Sequence, residues 1–135
     1  MANTTPIVPG TPEVQWGTIS AANTAKDGTG TVVTVFTADA TNGSYVSSIV
    51  ARPLGTNVAS VLRVFINNGS TNATAANNSL FYELALPAST LSEVAALAHY
   101  EIPVARALPP GYKLNVTLGT AVSAGYQVTA FGGDF

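Results

Sequence analysis

From Val14 onward apolar and polar residues alternate with a period of two, the spacing of a strand with one buried face, and turn residues cut the alternation into short lengths. Over Val32–Thr37 the β-branched residues Val32, Val33, Thr34 and Val35 favour a strand, which follows an Asp27-Gly28-Thr29-Gly30 turn. Asn42-Gly43 marks the next turn, before Tyr45–Arg52, where Val46, Ser48 and Val50 share a face. The strongest alternation is Asn57–Asn67. It predicts Val58, Leu62, Val64 and Ile66 inward and Val61, Arg63 and Phe65 outward. Asn67-Asn68-Gly69-Ser70 then opens a polar loop that runs to about Asn78. Leu80–Leu86 resumes strand character, with Leu80, Tyr82, Leu84 and Leu86 expected inward and Phe81, Glu83 and Ala85 outward. Pro87 stops it.

Residues 88–96 carry two signals. Thr90-Leu91-Ser92-Glu93 fits a capping box that Val94–Ala98 would extend as a short helix. The β pattern on both sides favours instead a loop entering a strand at about Ala96–Val104, with Tyr100, Ile102 and Val104 on one face and His99 and Glu101 on the other. Pro109-Pro110-Gly111 is a turn before Tyr112–Leu118, and a last strand covers Tyr126–Phe131. With Val14–Ala21 these make about eight strands, the pattern of an all-β, single-domain antiparallel sandwich. Several connections are too long for tight hairpins, which favours Greek-key links and a jelly-roll-like fold. Residues 1–12 hold Pro6, Pro9 and Pro12 and predict an extended N-terminal arm, with the sandwich over 13–135.

Composition changes what such a sandwich is expected to do. Only 12 of the 135 residues are charged and 47% are hydrophobic, against about a quarter charged in ordinary soluble proteins. The apolar runs are broken every few residues, far short of the roughly 20 that a spanning helix needs. A surface this poor in charge is expected to be covered by companions. The net charge is −2, and the five basic residues are scattered, so neither nucleic acid nor an anionic membrane is an expected partner. There is no cysteine, hence no thiolate chemistry. The opening MANTTPIVPG has no charged n-region or apolar h-region, so synthesis in a cytoplasm is expected.

Candidate chemistry is thin. His99 and Glu101 would share a strand face, but no second His and no Cys completes a metal site, so neither metal nor cofactor is expected. No serine sits in a Gly-x-Ser-x-Gly elbow. Glu83, Glu101 and Asp134 are the only carboxylates that invite a glycosidase reading, which normally needs a deep cleft on a longer chain. No catalytic residue is assigned, and an enzyme is not expected. Asn-x-Ser/Thr at Asn3, Asn42, Asn68, Asn72, Asn77 and Asn115 reads as loop composition, because Asn tolerates the turns that loops require.

Val61–Ser70 leading into an Asn/Thr/Ala loop, then Leu80-Phe81-Tyr82-Glu83, then Leu108-Pro109-Pro110-Gly111-Tyr112-Lys113 and the closing Ala-Phe-Gly-Gly-Asp-Phe together resemble small decoration or cement proteins of tailed-bacteriophage capsids. The resemblance covers about residues 45–135 and contains no diagnostic chemical signature. It implies a jelly-roll subunit on the outside of a virion, made in the host cytoplasm, bound to the major capsid protein and commonly trimeric. Contact candidates on that reading are Trp16, Val61, Arg63, Phe65, Phe131 and Phe135, with the N-terminal arm. Each has a plainer alternative. Trp16 is expected first of all to fill the core, Arg63 to pair with Glu83 or Glu101, and Phe131 and Phe135 to flank a frayed Gly-Gly tail. A carbohydrate- or receptor-binding module of a tail or fibre, using loop 68–78 with Tyr or Trp stacking, is the alternative function.

Overall fold

The computed structural model describes residues 10–135, so most of the expected arm lies outside the described residues. Eight strands are present: β1 (Thr11–Ile19), β2 (Val33–Thr37), β3 (Ser44–Pro53), β4 (Ser60–Asn67), β5 (Asn78–Leu86), β6 (Tyr100–Leu108), β7 (Lys113–Leu118) and β8 (Tyr126–Asp134). They form two four-stranded antiparallel sheets, ordered β1-β8-β3-β6 and β2-β7-β4-β5. The first strand pairs with the last, the second with the seventh, the third with the sixth and the fourth with the fifth. That pairing describes one long hairpin wound over itself, the jelly-roll arrangement. The apex of the hairpin is the loop between Asn67 and Asn78, and its two open ends are the chain termini.

Several expected boundaries move. Thr11 and Pro12, assigned to the arm, belong to β1, whose edge position tolerates Pro12. β4 begins at Ser60, not Asn57, because the buried Asn57 serves as a side-chain lock. Its Oδ1 accepts from the backbone of Ala124 at 2.8 Å and Gly125 at 3.2 Å, while Nδ2 donates to the Gly125 carbonyl at 3.0 Å. Val58, expected inward, is exposed as a result. Residues 88–96 form a loop without a helix, and β6 starts at Tyr100, later than expected. In β5 the register slips at Phe81, which is left unpaired between Tyr82↔Val64 and Leu80↔Phe65. This bulge turns Phe81 toward the core and leaves Leu80 and Tyr82 exposed, reversing the expected alternation there.

The core lies between the sheets. Phe36, Val46, Ile49, Leu62, Val64, Ile102, Leu114, Val116, Leu118 and Tyr126 are wholly buried in it, each such side chain contributing about 1.5–3 kcal/mol over exposure. At the β1/β2 side the sandwich is nearly closed. The Gln15 amide donates to the Thr37 carbonyl at 3.1 Å and accepts from the Thr37 N–H at 2.9 Å, so a side chain of one sheet pairs with an edge of the other.

The carboxyl end is held firmly. Gly132 and Gly133 lie in β8 between β1 and β3, and the Phe135 N–H donates to the Gly43 carbonyl at 3.2 Å. The expected loose Gly-Gly hinge is therefore a strand segment. Glycine is needed at 132 because a Cβ there would collide with the Tyr45 carbonyl. Gly132→Ala should cost about 3 kcal/mol in chemical denaturation. Asn57→Ala, which orphans the N–H groups of Ala124 and Gly125 and leaves the Gly125 carbonyl only its bond from the Leu54 N–H, should cost about 2–3 kcal/mol. Tyr126 presents a buried hydroxyl without a partner among the described residues. Burial, with a smaller contribution from Tyr100, pushes that phenol above the ordinary value of 10.0. The folded chain thus favours the neutral form, and this contribution to stability is lost as pH rises above 10.0. Tyr126→Phe should leave neutral-pH stability equal or higher and flatten the alkaline loss, read as Tm against pH.

Candidate functional site

The two outer faces of the sandwich are finished differently. Over the second sheet the long β1–β2 connection, residues 20–32, acts as a roof. One end is tied to β7, where the Asn23 N–H donates to the Leu118 carbonyl at 2.7 Å. The other end reaches the hairpin apex, where Asn72 Nδ2 donates to the carbonyls of Gly28 (3.1 Å) and Gly30 (2.8 Å) and Asn78 Nδ2 donates to the Asp27 carbonyl (3.1 Å). Asn23 closes the loop on itself through the carbonyls of Thr29 and Thr31 at 2.9 and 2.7 Å. Asp27 caps the turn by accepting from the Thr29 hydroxyl and N–H, which hold its carboxyl below the ordinary value of 3.8. Asparagine suits this work because one planar amide offers both donors and acceptors to backbone groups.

The roof decides the fate of two contact candidates. Phe65 does point to the outer face, as the alternation requires, yet it is 0% exposed. It is therefore unavailable as an interface anchor in this state of the chain. Arg63 is also largely covered, its side chain 11% exposed, and Nε donates to Glu83 Oε1 at 3.2 Å, the plainer of its two expected roles. Arg63 Nη1 and the cross-strand Thr117 hydroxyl are buried without hydrogen-bond partners among the described residues. Val61 remains half-buried.

Among the described residues the first sheet has no such roof. Strand register sets its outward residues in rows: Pro12, Gly133, Tyr45 and Ala107; then Val14, Phe131, Ser48 and Pro103; then Trp16, Thr129, Val50 and Glu101. A bulge at Ser47 keeps Ser48 opposite Phe131 on this face. The first two rows carry no charge, and Glu101 and Arg52 stand only toward the far corner. Val14 is 48% exposed, Trp16 63% and Phe131 40%. Trp16 is thus not the core residue first expected, because on the edge strand β1 its parity sends it outward with Val14. Exposed apolar patches of this kind are where soluble proteins commonly meet a partner.

Trp16 and Phe131, contact candidates distant in sequence, are thereby brought onto one patch, while Phe135 follows β8, half-buried near Gly43. Val14, Tyr45 and Val50 complete the patch and were not singled out as candidates. The signal for Val14 is its spacing of two from Trp16, which sets both on one face of β1. The edges of the sandwich are less suited to strand addition. β6 carries Pro103, Arg106 and Ala105 at φ 48°, all of which disturb a continuous ladder. His99 and Glu101 are both exposed, and among the described residues no group of three His, Cys, Asp or Glu converges to hold a metal. No described helix is long and apolar enough to cross a membrane.

The chain matches no family model, no curated protein and no solved structure. The geometry of the patch can be checked directly. Trp16 is the only tryptophan, so fluorescence of the isolated chain should be red-shifted and readily quenched by acrylamide. A blue-shifted, shielded signal would show that the face is covered. Asn72→Ala should speed amide exchange across residues 24–31 while leaving the core strands protected.

Proposed function

We propose that this chain is a non-enzymatic virion structural protein, a decoration or cement subunit that seats the bare face of its first sheet against the outside of a phage capsid. The observation that carries the reading is the uncharged pair of rows built on Pro12, Val14, Tyr45 and Phe131, flanked by Trp16, on a sandwich whose opposite face is already roofed. Support comes also from the jelly-roll strand order and from the sparse charge of the whole chain. A subunit that binds the assembled shell better than separated coat proteins stabilises assembly by mass action. An interface lacking charge does this without the cost of desolvating ions. Self-association into a trimer and contact with the major capsid protein are parts of the same proposal, with residues 1–9 as a further attachment. The glycan-module alternative draws no aromatic stacking from loop 68–78, which contains no aromatic residue.

The test is binding of the purified chain to phage shells stripped of accessory subunits. Trp16→Ser and Phe131→Ser together should weaken attachment by about thirtyfold or more while circular dichroism and Tm stay near the parent values. Equal binding by the folded double variant would overturn the proposal. Because the contact rows are uncharged, affinity should change little between about 0.1 M and 1 M salt, where surface ion pairs are largely screened. Deletion of residues 1–9 should weaken attachment without unfolding the sandwich.

A further inference from the structure

A second concavity lies on the roofed side of the molecule, apart from the bare sheet face. Its floor is β7, where Lys113 and Asn115 stand two residues apart on the outer face of the second sheet, flanked by Asn67 of β4 and Thr34 of β2. Its wall is the hairpin apex, residues 69–72, with Val32 at the entry to β2. The cleft encloses about 190 Å³, room for one sugar ring and not for two.

Its lining is specific in charge and in hydrogen-bonding sense. Lys113 is the sole charged residue on it and makes no ion pair among the described residues. Asn115 is only 3% exposed. Its Oδ1 accepts from the Thr34 hydroxyl at 2.7 Å, whereas its Nδ2 has no partner among the described residues and is not sealed from the cleft. Both Nδ2 hydrogens of Asn72 are committed to the roof, which leaves Oδ1 as an acceptor. Thr71 accepts from the Ala73 N–H at 3.3 Å, so its hydroxyl hydrogen is available, and Ser70 Oγ is unengaged among the described residues. The site thus mixes free donors and free acceptors around one cation.

We propose that this cleft binds a single acidic sugar residue, with the carboxylate against Lys113 and ring hydroxyls bonded by Asn115, Asn72 and the Ser70–Thr71 hydroxyls. A hydroxyl both gives and takes a hydrogen bond, matching a lining that supplies both. A phosphodiester or a fully ionised phosphomonoester, which only accepts, would meet Asn72 Oδ1 without gain. A metal ion would meet Lys113 and no carboxylate. An apolar ligand would strand the amides, at the full cost of their desolvation. The Asn23, Asn72 and Asn78 bonds hold the wall in place before any ligand arrives, so little ordering remains for binding to impose. This proposal is independent of the capsid reading.

The experiment is a nitrogen-proton NMR titration of the intact chain with glucuronate, glucose and acetate in turn. Glucuronate should shift the Asn115 side-chain amide and the backbone of residues 69–72 saturably. Glucose should bind the same resonances about tenfold more weakly, the worth of one charge-assisted contact. Lys113→Gln should abolish that preference with the rest of the spectrum unchanged, and Asn115→Ala should lower affinity for both sugars. Acetate acting as strongly as glucuronate would overturn the sugar assignment, since a bare carboxylate would then suffice. The absence of saturable shifts with both sugars would overturn the site itself.

Discussion

The hydrogen bonds that Asn23, Asn72 and Asn78 make to carbonyls of residues 27–31 hold the β1–β2 connection across the second sheet, and the character of the molecule follows from that roof. Without it Phe65, Arg63 and Asn115 would face water on an open sheet. With it, Phe65 becomes a buried side chain outside the main core, and a polar cleft forms where the roof meets the apex. A loop can be buried only if its backbone groups find partners. Here side-chain amides supply the partners that a neighbouring strand would otherwise provide.

A sandwich with so few charges must cover its outer faces with something other than ions. One face is covered by the chain's own loops. The other keeps Val14 and Phe131 in the open on a row without charge, with Trp16 on the row beside it. This asymmetry leaves one face bare and the other covered by the chain's own loops. The edges reinforce the division. Gln15 ties β1 to β2 at one margin, and Pro103 with the left-handed Ala105 interrupts β6 at another, so the face remains the surface best suited to contact.

Much of this was legible in the residues. Alternation located all eight strands, and long Gly-, Pro- and Asn-rich connections pointed to the wound hairpin. The turn at Asn42-Gly43 is real, with Gly43 at φ 77° and Asp39 accepting from the N–H groups of Thr41 and Asn42. The failures have particular causes. The Phe81 bulge inserts one unpaired residue, turning Phe81 in and leaving Leu80 and Tyr82 exposed while Leu84 and Leu86 keep the expected inward side, which alternation alone does not register. Asn57 looked like the start of a strand, but its amide was committed to the β7–β8 loop. The asparagines of 68–78 read as turn formers, whereas the side chains of Asn68, Asn77 and Asn78 bond across the apex and those of Asn72 and Asn78 reach the roof.

Periodicity, turn residues and the scarcity of charge determined by themselves an all-β wound hairpin with an under-ionised exterior, because the side-chain period of a strand and the φ demands of a turn are local properties. Which outer face stays bare was decided only by tertiary structure. Phe65 and Trp16 both project outward from their sheets, and nothing local separates them. One lies beneath a loop anchored some forty residues away at Asn72, and the other lies on an edge strand that no described segment crosses. Burial is a property of what arrives from elsewhere in the chain, and that depends on long-range amide bonds that no pattern along the sequence encodes.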